Sequence, residues 1–127
     1  MGLIKGIHHV SMNCCNTVEY EKTIKFYRDI LGLNVAREWE TGIMLETGAG
    51  LIEIFNNAES QFEKGMLRHF AFAVDEVDAC VKAVTDAGYE VFLEPRDITI
   101  PSTPEFPARM AFCYGPLGEE IEFFQEK

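Results

Sequence analysis

Between Leu3 and Cys14 the chain alternates: Ile7, His9, Ser11 and Asn13 fall on one side, and His8, Val10 and Met12 on the other. A period of two predicts a strand. The period then lengthens. Tyr20, Ile24, Tyr27 and Leu31 recur at helical spacing, Asn16 with Glu19 resembles a capping box, and Gly32 supplies the stop. Three short strands are expected next, at about 34–40, 42–47 and 50–56, with a turn at 47–50 joining the last two. After a polar run that starts at Asn57 the pattern begins again. Leu67 to Asp75 reads as a strand, and Asp75 to Ala87 as a helix with Val77, Val81 and Val84 on one face and Gly88 as its stop. Tyr89 to Glu94 reads as a strand. Pro95, Pro101, Pro104 and Pro107 mark 95–107 as an inserted loop, and 108–114 and 119–126 read as strands paired through a turn at 115–118.

The order β-α-β-β-β thus occurs twice. The expected fold class is α+β, one domain over 1–127 made of two pseudo-symmetric βαβββ modules. Module one covers about 3–57, a linker about 58–65, and module two about 66–127.

The repeat carries chemistry. His9 in the first module matches His69 in the second, and Glu53 matches Glu122. Each glutamate sits inside an apolar strand, Leu51-Ile52-Glu53-Ile54-Phe55 and Ile121-Glu122-Phe123-Phe124. A carboxylate buried there without a partner costs several kcal/mol, roughly, so it needs a cation, a proton or hydrogen-bond donors. Strand parity puts Ser11 and Asn13 beside His9, and Ala71 and Ala73 beside His69, while Val10, Met12, Phe70, Phe72 and Val74 face the other way. The histidine faces are therefore small and polar, and the reverse faces are suited to lie under a helix. Two imidazoles and two carboxylates at equivalent places predict one divalent-metal site, of zinc, nickel, cobalt, iron or manganese character because sulfur is absent from the set. His8 has Arg68 as its counterpart and reads as structural.

Composition narrows the partners. The 127 residues hold 21 acidic against 11 basic side chains, a net charge of −10, which argues against nucleic acid and against anionic membranes. There is no apolar run long enough to span a bilayer and no signal-peptide pattern, so a cytoplasmic protein is expected. Cys14, Cys15, Cys80 and Cys113 form no CxxC pair and are expected to be buried and reduced.

The whole chain resembles the glyoxalase I branch of the vicinal-oxygen-chelate (glyoxalase/bleomycin-resistance/dioxygenase) superfamily. The matching elements are Ile7-His8-His9-Val10-Ser11, Phe26-Tyr27-Arg28-Asp29-Ile30-Leu31-Gly32-Leu33, the Glu53 strand, Arg68-His69-Phe70-Ala71-Phe72-Ala73-Val74, and Gly115-Pro116-Leu117-Gly118 followed by the Glu122 strand. The resemblance implies curved mixed sheets around a metal cavity, with His9, Glu53, His69 and Glu122 as ligands. It implies nickel or cobalt, with zinc possible, a homodimer, and conversion of a 2-oxoaldehyde–thiol hemithioacetal to a 2-hydroxyacyl thioester, as in methylglyoxal detoxification. Glu122 would be the leading base and Glu53 the second carboxylate. Asn13 stands where glutathione-using members carry an arginine. Asn57 matches a glutathione-contacting asparagine, and Phe55, Phe106 and Phe124 would line an apolar substrate pocket. An epimerase, an extradiol dioxygenase and a non-catalytic small-molecule-binding protein are the alternatives on this scaffold.

Overall fold

The computed structural model describes residues 2–3, 7–61 and 69–127. The chain divides into two compact units, Met1–Phe62 and Glu63–Lys127. Each has the order strand, helix, three strands, the α+β arrangement anticipated from the sequence. None of the described helices is long and apolar enough to cross a membrane.

In the first unit β1 (His9–Asn13) leads into α1 (Thr17–Ile24), followed by β2 (Asn34–Trp39), β3 (Gly42–Glu46) and β4 (Leu51–Phe55). The sheet order is β1-β4-β3-β2, with β1 parallel to β4 and the other pairs antiparallel. Residues 4–6 of the expected first strand lie outside the described residues. Asn16 caps α1 as expected, its Oδ1 accepting from the Glu19 N–H at 2.8 Å. The Glu19 carboxylate, however, accepts from the N–H of Cys15, one residue before the cap, at 3.1 Å. The helix then widens into a π-helical turn over Lys25–Ile30, which brings the adjacent Phe26 and Tyr27 both fully into the core. They share that core with Ile43, Leu45, Ile52 and Ile54, the residues that alternate with Met44 and Glu53 along β3 and β4.

In the second unit β5 (Phe70–Ala73), α2 (Val77–Asp86), β6 (Val91–Ile100), β7 (Phe106–Tyr114) and β8 (Glu120–Glu126) form a sheet of order β5-β8-β7-β6, with β5 parallel to β8. Val77 and Val84 of α2 are buried, as are Ala111, Cys113, Ile121 and Phe123 on one face of the sheet. The same face is tied to α2 by two polar contacts. The Val77 N–H donates to Gln125 Oε1, and Arg109 makes a two-pronged ion pair with Asp78 at 2.8 and 2.9 Å. Arg109 also reaches Asp97 on β6, which Lys127 holds from the chain end.

One expectation is corrected here. Residues 95–107 are not an inserted loop. β6 runs through Pro95 to Ile100 and pairs with β7 from Phe106 onward, leaving only 101–105 as the turn of a long hairpin. Proline is tolerated because β6 is at the edge of its sheet and Pro95 lies within a register shift between Leu93 and Arg96. The linker expected over 58–65 is described only as far as Gln61, and Leu67 and Arg68 of the expected second-module strand lie outside the described residues.

Candidate functional site

The reverse faces of the two sheets carry the predicted pairs. In the first unit His9 Nε2 stands 3.5 Å from Glu53 Oε1. In the second, His69 Nε2 stands 3.2 Å from Glu122 Oε1. The origin is the same in both. His9 opens β1 and His69 directly precedes β5, each glutamate is on the last strand of its unit, and those first and last strands run parallel as neighbours. Both glutamates are buried, with relative exposures of 8% and 9%, whereas both histidines are exposed. Burial pushes the Glu122 carboxyl above its usual range, and His69 pulls it back part of the way.

The neighbours of each pair differ. His9 Nδ1 lies within hydrogen-bond distance of His8 Nδ1, at 2.9 Å, while its Nε2 faces Glu53. His69 instead packs edge-on against Phe112, its centroid at 5.0 Å, and Phe112 continues to Phe92 and then to Tyr114 as an aromatic wall. That wall was missed by sequence reasoning, which scored 108–114 only as a strand. The alternation of Met110, Phe112 and Tyr114 is the signal that would have found it.

The other candidates fall into two groups. Asn13 and Asn57 meet: the Asn13 amide donates to Asn57 Oδ1 at 3.0 Å, and the Asn57 N–H donates to Asn13 Oδ1 at 3.1 Å. Phe106 and Phe124 also meet, with centroids 5.7 Å apart, and line a cavity of about 510 Å³ together with Ala73, Val74, Asp75, Gln125 and Glu126. Phe124 lies two residues along β8 from Glu122 and so shares its face. Phe55 in the first unit packs instead against Trp39, at 5.8 Å.

Trp39 and Arg37 share the Glu53 face for a reason the sequence hides. Val35 pairs with the buried Leu45, but the next pair in register is Arg37 with Met44, because the ladder shifts at Ala36. The bulge turns Arg37 to the side opposite Val35, whereas unbroken alternation would have put both on one face. Met44 in turn pairs with Glu53, and Glu53 with Ser11. One cross-strand row therefore reads Ser11, Glu53, Met44, Arg37. The next reads Asn13, Phe55, Gly42, Trp39.

Among the described residues no group of three or more His, Cys, Asp or Glu side chains is drawn together. The unit of construction is the pair. Two donors each about 2.1 Å from one divalent ion stand about 3.0–3.4 Å apart when they subtend 90–109°. The observed 3.2 and 3.5 Å are close to that spacing, and the donor set of neutral nitrogen and buried carboxylate oxygen suits such an ion.

The family profile described as "Glyoxalase/Bleomycin resistance protein/Dioxygenase superfamily" matches residues 6–123. A lactoylglutathione lyase of Haemophilus influenzae is 30% identical, with 86% of each chain covered. YaeR of Escherichia coli K12 is 28% identical over 97% of this chain and 98% of its own. Among solved structures, the glyoxalase family protein from Enterococcus faecalis superposes with a TM-score of 0.72 at 27% identity, covering 97% of this chain and 99% of that one.

Proposed function

Since the chain belongs to the glyoxalase/bleomycin resistance protein/dioxygenase superfamily, we propose that it is a metal-dependent isomerase of the glyoxalase I type. The observation that carries this reading is the doubled pair: one buried glutamate within 3.2–3.5 Å of one histidine in each unit, at equivalent positions. His9, Glu53, His69 and Glu122 are the residues that would hold a divalent cation, with nickel or cobalt ahead of zinc. When bound, such an ion supplies Lewis acidity to two neighbouring substrate oxygens.

The substrate in this reading is the hemithioacetal of a 2-oxoaldehyde. Glu122 takes the proton from the carbon that bears sulfur and hydroxyl, and returns it to the adjacent carbonyl carbon. The hydroxyl proton passes to the former carbonyl oxygen, and the product is a 2-hydroxyacyl thioester with no change in composition. Glu122 suits the role because its surroundings are apolar, which weakens a carboxyl acid and so strengthens its conjugate base. Glu53 is the second carboxylate, able to hold the proton that moves between oxygens. Phe106 and Phe124 provide a water-poor wall beside Glu122, and Asn13 with Asn57 frames the end of β1. The reading places the protein in the cytoplasm as a homodimer.

The test is metal analysis of the purified protein, followed by an anaerobic isomerisation assay with nickel, cobalt and zinc. About one divalent ion per site, with turnover abolished in Glu122→Gln and impaired in Glu53→Gln, is the expected result. A protein that binds no divalent ion, or that turns over normally as Glu53→Gln, refutes it.

A further inference from the structure

The chain has three histidines. Two of them face the buried glutamates. The third, His8, reads from the sequence as structural. Adjacent residues of a strand point to opposite faces, so His8 and His9 should not meet. They do meet, because β1 begins at His9 and His8 precedes it. The His8 backbone is nonetheless fixed: its carbonyl accepts from the Leu51 N–H at 3.1 Å, where the strand of Glu53 begins. From there the His8 ring comes round to the His9 side. The two Nδ1 atoms stand 2.9 Å apart, the ring centroids 5.1 Å apart, and the ring planes cross at 84°. With nitrogens so close, centroids that far apart put both nitrogens almost on the line joining the rings. That head-on approach is the geometry of an N–H aimed at a lone pair.

Imidazole chemistry gives the contact a direction. A neutral ring has one N–H and one lone pair. A ring that gives its Nε2 lone pair to an ion carries its hydrogen on Nδ1, and an acceptor there holds both the tautomer and the ring angle. His9 presents Nε2 to Glu53, at 3.5 Å, and Nδ1 to His8. His8 therefore lies behind the ring, on the side away from Glu53, where it cannot grip an ion held between His9 and Glu53. In the second unit the ring against His69 is that of Phe112, at 5.0 Å, which has no lone pair in its plane. Arg68, the counterpart of His8, carries donors only.

We propose that His8 is a positioning residue of the candidate metal centre: its Nδ1 accepts the Nδ1–H of His9 and so holds His9 Nε2 toward the ion. This rests on the metal-binding part of the isomerase reading and adds a residue to it. The first pair thus has an orienting bond that the second lacks among the described residues.

Calorimetric titration with nickel and with zinc tests it, in wild type, His8→Leu and His8→Asn. Asparagine is the conservative variant, because its Oδ1 accepts from much the same place as histidine Nδ1. His8→Leu should weaken Kd for both ions by about tenfold, and His8→Asn should stay within about threefold of wild type. Urea unfolding of the three metal-free proteins should give the same midpoint, which separates orientation of His9 from folding. The second readout is nitrogen NMR of the zinc-loaded protein. His9 should show a metal-bound Nε2 and a protonated Nδ1, whose hydrogen exchanges with water more slowly in wild type and His8→Asn than in His8→Leu. Undiminished affinity in His8→Leu, equal losses in His8→Asn and His8→Leu, or a His9 bound through Nδ1 would overturn the proposal. A wild type that takes up neither ion would remove the metal reading itself, and the role of His8 with it.

Discussion

Gly42 offers a quantitative check on how the Glu53 face is built. A Cβ added there would fall 2.7 Å from Trp39 Cζ2, 3.0 Å from Trp39 Cε2 and 3.0 Å from the Ile54 carbonyl oxygen. Carbon atoms rest at about 3.5–4.0 Å, so Gly42→Ala must push the indole away by about 1 Å. Trp39 is 38% exposed and is held on one side by Phe55, so the ring moves outward and the aromatic pair opens. Loss of that pair costs about 0.5–1.5 kcal/mol. Crowding against the Ile54 carbonyl adds the strain typical of overpacking, about 1–3 kcal/mol when it is not relieved. Working against both, alanine restricts the unfolded chain and returns about 0.4–1 kcal/mol. The expected net is a destabilisation of about 0.5–4 kcal/mol, at the low end if the indole yields freely. Urea unfolding followed by circular dichroism measures it, and the emission of the single tryptophan should shift to the red because the ring gains water. The decisive arm is the double variant. With Trp39→Ala already in place the indole contacts are gone and only the Ile54 carbonyl remains close, so Gly42→Ala should cost less there than in wild type, by about 0.5–1.5 kcal/mol or more. If Gly42→Ala destabilises equally in both backgrounds, the indole is not what glycine accommodates.

Other outcomes follow from contacts already described. Arg109 holds the Asp78 carboxyl below its usual range through direct hydrogen bonds, and Lys127 followed by Arg109 does the same for Asp97. A depressed carboxyl contributes stability above its unfolded value, about 3.9, and loses it as pH falls through the folded one. The stability gap between wild type and Arg109→Met should therefore be level from pH 8 to 5 and close below about pH 4 in urea titrations at each pH. Asn16→Ala should cost about 1 kcal/mol by the same assay, because the Glu19 N–H loses its acceptor. Burial pushes the Cys113 thiol up to about 12, so at pH 8 it should resist a disulfide reagent until the protein is unfolded, when all four cysteines react. Ile54→Ala, at a fully buried site under the helix, should cost about 2–5 kcal/mol.

Much of this was legible beforehand because alternation has a fixed period. The glutamates could be placed opposite Ile52, Ile54, Ile121 and Phe123 simply by counting, and the structure buries those four. The Asn16 cap was equally readable, since its bond spans three residues of sequence. What escaped was whatever interrupts the count. The bulge at Ala36 reverses the face of Arg37 without any glycine or proline to mark it. Pro95 was read as a loop because proline usually stops a strand, but an edge strand needs no donor on its free side. The mutual amide bonds of Asn13 and Asn57 join residues 44 apart, and no local rule anticipates them.

In both units the histidine stands on or beside the outermost strand, and the glutamate on the strand inside it. A rim strand is gripped from one side and an inner strand from two. The imidazoles are thus the adjustable members of each couple, and the acids the fixed ones. Drift toward another ion or another reaction has an open route through the nitrogen donors, where a change disturbs one neighbour. Exchanging either acid disturbs two ladders at once. Such a scaffold is expected to diversify from its margins inward, with the oxygens as its slowest-changing part.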